Sequence, residues 1–373
     1  MTSRNHKQTL VQWLVAIQIL LISAAQSVHA RESSYAFHDS HFHLTNYVQE
    51  GTDIQDYLAI MGDTVGRSTL FGIPLQQTWS YQNTGDYAPT YYLHSDAPLY
   101  YYSFTDAYIA QTYNSLSSAE QARFDPMITG FNPADMYAAD HIRRVLLTFP
   151  GVFSGIGEFS IHKEFVSSKV AGNVASLTNP ALDRILEFAA ESGLAVILHC
   201  DVDIPFQSEG ETPTYSEDLG DLARRHPDVT LIWAHIGLGR VIFPPRRNSG
   251  GAPIAERSPY YLVQLEKSLE DPTMKHVRFD ISWDELAKFV LAKPETTSEM
   301  ARLINRYPDR FLFGTDVVAP RDEDHYFGIF RKYQPLWEAL TPEARNLVLK
   351  GNYERVFDAA AKKVRAWEAV NAD

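Results

Sequence analysis

Apolar runs that end in a histidine or an acidic residue recur along this chain at regular intervals. The clearest is Leu194–Leu198, which is followed by His199, and similar runs end at Glu158, at His235 and at Asp316. Continuous apolar strands of this kind are typical of a parallel sheet that helices cover on both faces. The sequence therefore predicts an α/β fold with buried parallel strands.

The spacing of these polar ends matches the length of β–α units. Glu158, His199 and His235 follow one another at intervals of about 40 residues, which corresponds to one unit each. The interval from His235 to Asp316 is about twice as long, and that from His41 to Glu158 is about three times as long. Eight strands are therefore predicted: Tyr35–Leu44, Arg67–Leu75, Phe124–Phe131, Val152–Ile161, Leu194–Cys200, Val229–His235, Val277–Ser282 and Arg310–Asp316.

The number of strands with polar ends distinguishes between two α/β architectures. In a (β/α)8 barrel the carboxyl ends of all strands converge on one mouth, where the active site is built. An open doubly wound sheet brings its ligands to a switch point, which five separate strands cannot all reach. The pattern therefore predicts a (β/α)8 TIM barrel as a single domain over residues 31–373.

The first predicted strand carries two histidines on one face. Side chains two residues apart on a strand project in the same direction, so the imidazoles of His41 and His43 lie side by side. Two imidazoles on a rigid strand supply half of a tetrahedral site for zinc or a similar divalent ion. An isolated pair is weak support for a metal site, because two histidines that bond to the backbone would look the same.

The other polar strand ends strengthen the metal-site prediction. A buried imidazole or carboxylate without a partner is costly, and here several recur at one-unit spacing. The predicted site consists of His41, His43, Glu158, His199, His235 and Asp316.

The same residues resemble the amidohydrolase superfamily. The resemblance rests on His41-x-His43, Gly157-Glu158, His199, Ala234-His235 and Gly314-Thr315-Asp316. Residues 350–357 also resemble the closing G-N-x-x-R-x-F signature of the amidohydrolase-related branch, which includes aminocarboxymuconate semialdehyde decarboxylase.

The resemblance implies a divalent metal cofactor, with zinc as the expected ion. Its ligands would be His41, His43, His199 and Asp316, with His235 beside the metal. Many members bridge two metals with a carboxylated lysine on the fourth strand, where this chain carries Glu158. The number of metal ions therefore remains open: the site could hold one ion, or a pair that Glu158 bridges.

The activity that the resemblance implies is hydrolysis of a C–N or C–O bond next to a carbonyl, in an amide, lactone or related small molecule. A divalent ion lowers the pKa of water towards about 7, and Asp316 is predicted to accept its proton. His235 is predicted to polarise the substrate carbonyl or to stabilise the developing oxyanion. Two alternatives remain: a non-oxidative decarboxylase that uses the same residues, and an exported binding protein without turnover.

Residues 1–30 are predicted to be a signal peptide. Arg4 and Lys7 precede the apolar run 10–25, and Val28-His29-Ala30 is a small-residue cleavage signal. The mature protein is then expected in the periplasm or secreted; an uncleaved N-terminal anchor is the alternative.

Charge and cysteine content limit the possible partners. The net charge of −13 and the lack of a basic run argue against nucleic acid and against stable membrane association after removal of the leader. Cys200 is the only cysteine, so no intrachain disulfide is possible, and it is predicted to lie in the core.

The segment from Gln76 to Tyr113 differs in amino-acid composition from the rest of the chain. It carries nine tyrosines with Gly85, Pro89 and Pro98 among them, and it is predicted to be a long loop with its own packing, inserted after the second strand and lying over a binding face. Its aromatic rings fit a lid over the substrate or an interface in a homo-oligomer, and both alternatives remain open.

Residues after the sixth and seventh strands are further candidates for the mouth. Arg240, Arg246 and Arg247 could hold a substrate carboxylate or could lie in a solvated loop. Trp283 could line the pocket or pack in the core.

Overall fold

The computed structural model describes residues 35–172, 175–203, 214–240 and 254–372. The predicted signal peptide and two of the candidate arginines, Arg246 and Arg247, lie outside these ranges, so those predictions stay predictions. Within the described part of the chain, no helix has both the length and the apolar character needed to cross a membrane.

Eight parallel strands form one sheet in the order in which they follow along the chain. We name them β1 to β8: Phe37–Asp39, Val65–Leu70, Phe124–Ile128, Gly155–His162, Ala195–Cys200, Thr230–Trp233, Val277–Ile281 and Phe311–Phe313. At the mouth, Ser40 N donates a hydrogen bond to Phe313 O at 3.0 Å, which joins the first strand to the last. The predicted TIM barrel is confirmed.

Helices connect the strands and pack against the outside of the sheet. Those of the described chain are Ile54–Met61, Tyr81–Thr84, Phe104–Asn114, Ser118–Gln121, Ala138–Thr148, Val166–Lys169, Pro180–Ser192, Thr214–Arg225, Ile254–Glu270, Asp284–Val290, Pro294–Arg306, Glu323–Lys332, Gln334–Ala339, Pro342–Asn346 and Asn352–Asn371. Short 3-10 turns lie at Ala234–Gly237, Pro272–Met274 and Pro308–Arg310, and a π-turn lies at Leu347–Gly351.

Local sequence explains where the helix Pro180–Ser192 begins and ends. The side chain of Asn179 accepts a hydrogen bond from Ala181 N, and Pro180 occupies the first turn, where no donor is needed. Gly193 ends the helix in the left-handed conformation, with φ 82°. These bounds are the predicted ones.

The predicted second strand, Arg67–Leu75, is wrong in its extent. The barrel strand ends at Leu70, and Leu75–Gln77 pairs antiparallel with Leu99–Tyr101 outside the barrel. Gly72 lies between the two strands, and a Cβ added there would come within 1.9 Å of Thr105 Oγ1. A glycine at this position therefore lets the chain pass close to Thr105.

The tyrosine-rich segment has more regular structure than the predicted loop. Its end forms the helix Phe104–Asn114, whose buried face includes the polar residues Thr105 and Asp106. The carboxylate of Asp106 accepts hydrogen bonds from Thr129 N and Gly130 N, which follow β3. Because this face is partly polar, the sequence lacks the apolar period that would have predicted a helix.

Candidate metal centre

The mouth of the barrel brings together all six residues of the predicted site. His43 Nε2 lies 3.1 Å and His41 Nε2 3.3 Å from Asp316 Oδ1. The same two nitrogen atoms lie 3.6 and 3.9 Å from Glu158 Oε2. The residues after β1 and β8 thus form one cluster with one oxygen of the glutamate.

The other oxygen of Glu158 faces a second pair of histidines. Glu158 Oε1 lies 2.6 Å from His199 Nδ1 and 3.4 Å from His235 Nε2. The carboxylate therefore stands between two histidine pairs, which is the arrangement that a bridging ligand requires. The roles of these residues as ligands stay predictions.

The centre is almost completely removed from solvent. His41 and His235 are fully buried, and Glu158 is only 3% exposed. Burial opposes ionisation of Glu158, but Lys163 and His199 hold the pKa of its carboxyl well below the ordinary value. Burial also opposes ionisation of Asp316, but His41 contributes most to lowering the pKa of that carboxyl well below its ordinary value. Both carboxylates are therefore ionised at neutral pH.

Three polar side chains that sequence analysis missed hold the imidazoles in place. Asp280 Oδ2 lies 2.5 Å from His41 Nδ1, Asp201 Oδ1 lies 3.1 Å from His199 Nε2, and Ser282 Oγ lies 2.8 Å from His235 Nδ1. In each ring the other nitrogen is left to face the centre. Partners of this kind fix the tautomer and orientation of metal-binding histidines.

One of these partners could have been found in the sequence. Asp280 stands inside β7 between Phe279 and Ile281, and a buried aspartate in an apolar strand is the same signal that identified Asp316. Ser282 has no comparable signal, since serines are common at strand ends.

The residues at the mouth fit one or two divalent ions. His41 Nε2 and His235 Nε2 are buried, and neither has a hydrogen-bond partner among the described residues. Within each of two groups the candidate ligand atoms lie within 4.8 Å of one another: His41, His43 and Asp316, and Glu158, His199 and His235. Imidazole nitrogens combined with carboxylate oxygens are typical zinc ligands.

The backbone around the centre adopts conformations that residues other than glycine rarely take. Trp283, Asp316 and His235 have positive φ values of 73°, 54° and 54°. Strained conformations of this kind cluster at functional sites, where the surrounding structure enforces them. Close approach is also needed at Gly314, where an added Cβ would lie 2.5 Å from His41 Cβ.

The comparison with protein families identifies the chain. Residues 38–359 match the family model described as amidohydrolase. The chain belongs to the amidohydrolase family. A search of curated proteins finds no significant match.

Solved structures share the fold of this amidohydrolase at low sequence identity. A candidate 2-pyrone-4,6-dicarboxylic acid hydrolase from Pseudomonas putida is 14% identical with a TM-score of 0.50, over 87% of this chain and 98% of that one. A zinc-bound amidohydrolase from Burkholderia multivorans is 12% identical with a TM-score of 0.50, over 86% and 99%. The 5-carboxyvanillate decarboxylase LigW from Sphingomonas paucimobilis is 16% identical with a TM-score of 0.38, over 68% and 71%. At these identities the first two structures show the shared fold alone, and the third, with a TM-score below 0.5, supports no conclusion.

A cleft of about 330 Å³ opens beside the centre of this amidohydrolase. Its lining includes His43 and Asp316 from the centre, together with Lys163 and two tyrosines of the insertion, Tyr91 and Tyr92. Burial opposes a positive charge on Lys163, but the nearby carboxylate of the centre raises its pKa well above the ordinary value. Part of the insertion therefore lies at the mouth, as the lid alternative requires.

Arg240 ties this part of the insertion to the barrel. It donates hydrogen bonds to Tyr91 OH at 3.1 Å and Tyr92 OH at 3.3 Å, and it forms an ion pair with Glu285. Its guanidinium also lies 4.8 Å from the ring centroid of Trp283, which lines the cleft. The side chain is 24% exposed and already pairs with Glu285, so the two alternatives for Arg240, a substrate contact and a solvated loop residue, stay predictions.

The single cysteine has the predicted location. Cys200 is fully buried at the end of β5, and burial raises the pKa of its thiol well above the ordinary value. It is therefore a core residue without nucleophilic character.

Proposed function

We propose that this amidohydrolase is a metal-dependent hydrolase that cleaves a C–N or C–O bond next to a carbonyl in a small molecule. The observation that carries the proposal is the position of Glu158, whose two carboxylate oxygens each face a separate pair of buried histidines. Buried imidazoles and carboxylates at this density are costly without a cation, and together they provide the donors that two divalent ions need.

The residues divide into two sets of ligands. His41, His43 and Asp316 would hold one ion, His199 and His235 the other, and Glu158 would bridge the two. Zinc is the expected ion, because the donors are imidazoles and carboxylates. When bound, the metal lowers the pKa of water and polarises a carbonyl oxygen.

Asp316 is the proton acceptor of the proposed reaction. Its carboxylate remains ionised, it lines the cleft, and Oδ2 lies 3.9 Å from His235 Nε2. It can therefore accept a proton from the attacking water and transfer it to the leaving group. Its backbone N–H bonds to His41 O at 2.7 Å, which fixes its position relative to the histidines.

A panel of small amides, lactones and carboxylates tests the proposal. Zinc-loaded protein should turn over at least one amide or lactone, chelation should abolish the activity, and the product should take up oxygen from labelled water. Release of carbon dioxide from a carboxylate would instead identify the decarboxylase alternative. A zinc-loaded protein that turns over none of these compounds would contradict the proposal.

A further inference from the structure

A lysine projects into the cleft from the loop that follows β4. Lys163 comes one residue after the end of the strand, and its backbone is fixed on both sides: Lys163 N donates to Ser167 Oγ at 3.0 Å, and Ser167 N donates to Lys163 O at 3.1 Å. The side chain is only 9% exposed and lines the same cleft as Asp316. Its ammonium group is therefore held at the mouth and does not extend into solvent.

The ammonium group of Lys163 lacks hydrogen-bond acceptors. Its nearest carboxylate oxygen is Glu158 Oε1 at 3.8 Å, beyond hydrogen-bond distance, and that oxygen already pairs with His199 Nδ1 at 2.6 Å. Across the described ranges of the chain, no acceptor bonds to Lys163 Nζ. An ammonium has three donors, and those of Lys163 face the open cleft, where water or an oxygen of a bound ligand can accept their hydrogen bonds. A ligand that carries such an oxygen would therefore find a charged donor already in place.

The walls around this cation are aromatic. Lys163 Nζ lies 5.6 Å from the ring centroid of Trp283, and Tyr47 and Tyr92 also line the cleft. Such rings provide apolar contact area with little loss of conformational entropy, which suits a flat or cyclic ligand body. The cleft therefore combines one ammonium with aromatic walls next to the metal-ligand residues, and the carboxylates of Asp284 and Asp316 also belong to its lining.

We propose that Lys163 is a specificity residue that binds a carboxylate group on the substrate, so that the preferred substrates are cyclic or aromatic compounds with a carboxylate near the scissile bond. The inference rests on the proposed function for the position of the scissile bond. The nearby guanidinium of Arg240 is already paired with Glu285 and the two tyrosines, and a single ammonium fits a monoanionic carboxylate better than a phosphate, which prefers several donors.

Equilibrium binding of two simple probes tests this inference without turnover. Benzoate carries the carboxylate and the ring, whereas benzamide has the same shape without the charge. Calorimetric titration of the zinc-loaded full-length protein should show tighter binding of benzoate than of benzamide. In Lys163→Met the dissociation constant for benzoate should rise about ten- to a hundredfold, the usual effect of losing a charged hydrogen bond, while that for benzamide should change less than about threefold.

Matched variants separate this role from others. Lys163→Arg should retain most of the preference for benzoate, and Lys275→Met, which removes an exposed lysine before β7, should behave as wild type. Lys163→Gln provides a polar substitution of similar length if the methionine variant does not fold. Zinc content should stay at the wild-type value in every variant.

Three results would overturn the inference. The first is wild-type protein that binds benzoate no better than benzamide. The second is benzoate binding that disappears on zinc removal but is unaffected by the Lys163 substitutions, which would place the carboxylate on the metal. The third is loss of zinc in the Lys163 variants, which would make the lysine a partner of Glu158. Absence of turnover on every hydrolase substrate would leave these binding results valid, so the two proposals fail separately.

Discussion

At the residue scale, the candidate centre depends on Glu158 more than on any other side chain. It contacts both histidine pairs, and a buried carboxylate of this kind is stable only with several donors or cations around it. Its place in β4 requires Gly157 before it, because a Cβ there would lie 2.1 Å from Ile197 O. The glycine allows the chain to place the glutamate between the two pairs.

Replacing Asp316 tests the proposed proton acceptor. Asparagine is nearly isosteric and keeps an oxygen towards the histidines, but it cannot accept a proton. Asp316→Asn should fold and keep much of its metal, while kcat falls about a hundred- to ten-thousand-fold. Steady-state kinetics on the best substrate of the panel, with metal content measured in parallel, checks this. A metal-loaded variant with turnover near that of wild type would contradict the assignment.

Asp280 should control metal affinity through His41 without touching the substrate. Asp280→Asn weakens the support of the His41 ring, so zinc affinity should fall about 10- to 100-fold, the usual effect of losing such a partner. Competition with a zinc-binding dye measures this affinity. Asp324→Asn is the control, because that side chain is 96% exposed. Equal affinity in both variants would show that Asp280 does not position His41 for a metal.

His162, which does not belong to the candidate metal centre, should make the stability of the protein depend on pH. Burial lowers its pKa from 6.5 to about 4, so between these values the unfolded chain binds more protons than the folded one. The free energy of unfolding should therefore fall as pH decreases from about 6.5 towards 4, by about 1–2 kcal/mol from this residue.

A phenylalanine at this position isolates the effect. The ring of His162 stacks on Tyr215 at 3.7 Å, and His162→Phe keeps an aromatic ring there while removing the titration. Urea unfolding at about pH 7.5 and about pH 5 should show a smaller loss of stability for this variant than for wild type. His94→Phe, at an exposed position, should lose as much as wild type. Equal losses in all three proteins would refute the prediction.

At the element scale, helices that local sequence signals specify could be predicted, whereas pairings between strands distant in the chain could not. The helix Pro180–Ser192 carries its own cap residues, so its bounds follow from neighbours in the chain. The pairing of Leu75–Gln77 with Leu99–Tyr101 joins segments separated by the body of the insertion, and no local pattern specifies that register. Strands β1 and β8 are shorter than predicted, because beyond each of them the chain leaves the eight-stranded sheet and continues in a separate parallel ladder, in which Phe42–His43 pairs with Val317–Val318.

The insertion should depend on Arg240 for its position over the mouth. Arg240→Leu removes the hydrogen bonds to Tyr91 and Tyr92, so residues 79–97 should become more accessible to proteases. Limited proteolysis with mass spectrometry should show cleavage in this segment several-fold faster than in wild type. Arg331→Leu, which loses exposed contacts with the carboxylate and the backbone oxygen of Asp324, is the control. Equal cleavage rates would show that other contacts hold the insertion.

At the scale of the whole molecule, the spacing of polar strand ends predicted the barrel and the location of its mouth. It could not reveal which histidine each supporting residue holds, because these contacts join strands that are distant in the chain. The contact between Asp280 and His41, for example, joins β7 to the end of β1. The substrate is likewise set by the shape of a cleft that loops from several units build together.

The cellular location of the protein is a separate prediction. The basic, apolar and alanine-terminated leader predicts cleavage after Ala30, so N-terminal sequencing of exported protein should begin at Arg31. Intact Met1 on protein from the cytoplasmic fraction would contradict it.

We propose that Glu158 bridges two metal ions at the barrel mouth, and a count of the bound ions tests this claim. Purified wild-type protein that has been saturated with zinc and separated from unbound zinc should contain two zinc ions per chain, as measured by elemental mass spectrometry. Glu158→Gln should contain close to one, because the amide leaves His199 and His235 without their shared carboxylate. A well-folded wild-type protein that takes up no metal, or one that holds a single ion both with and without the substitution, would contradict the claim.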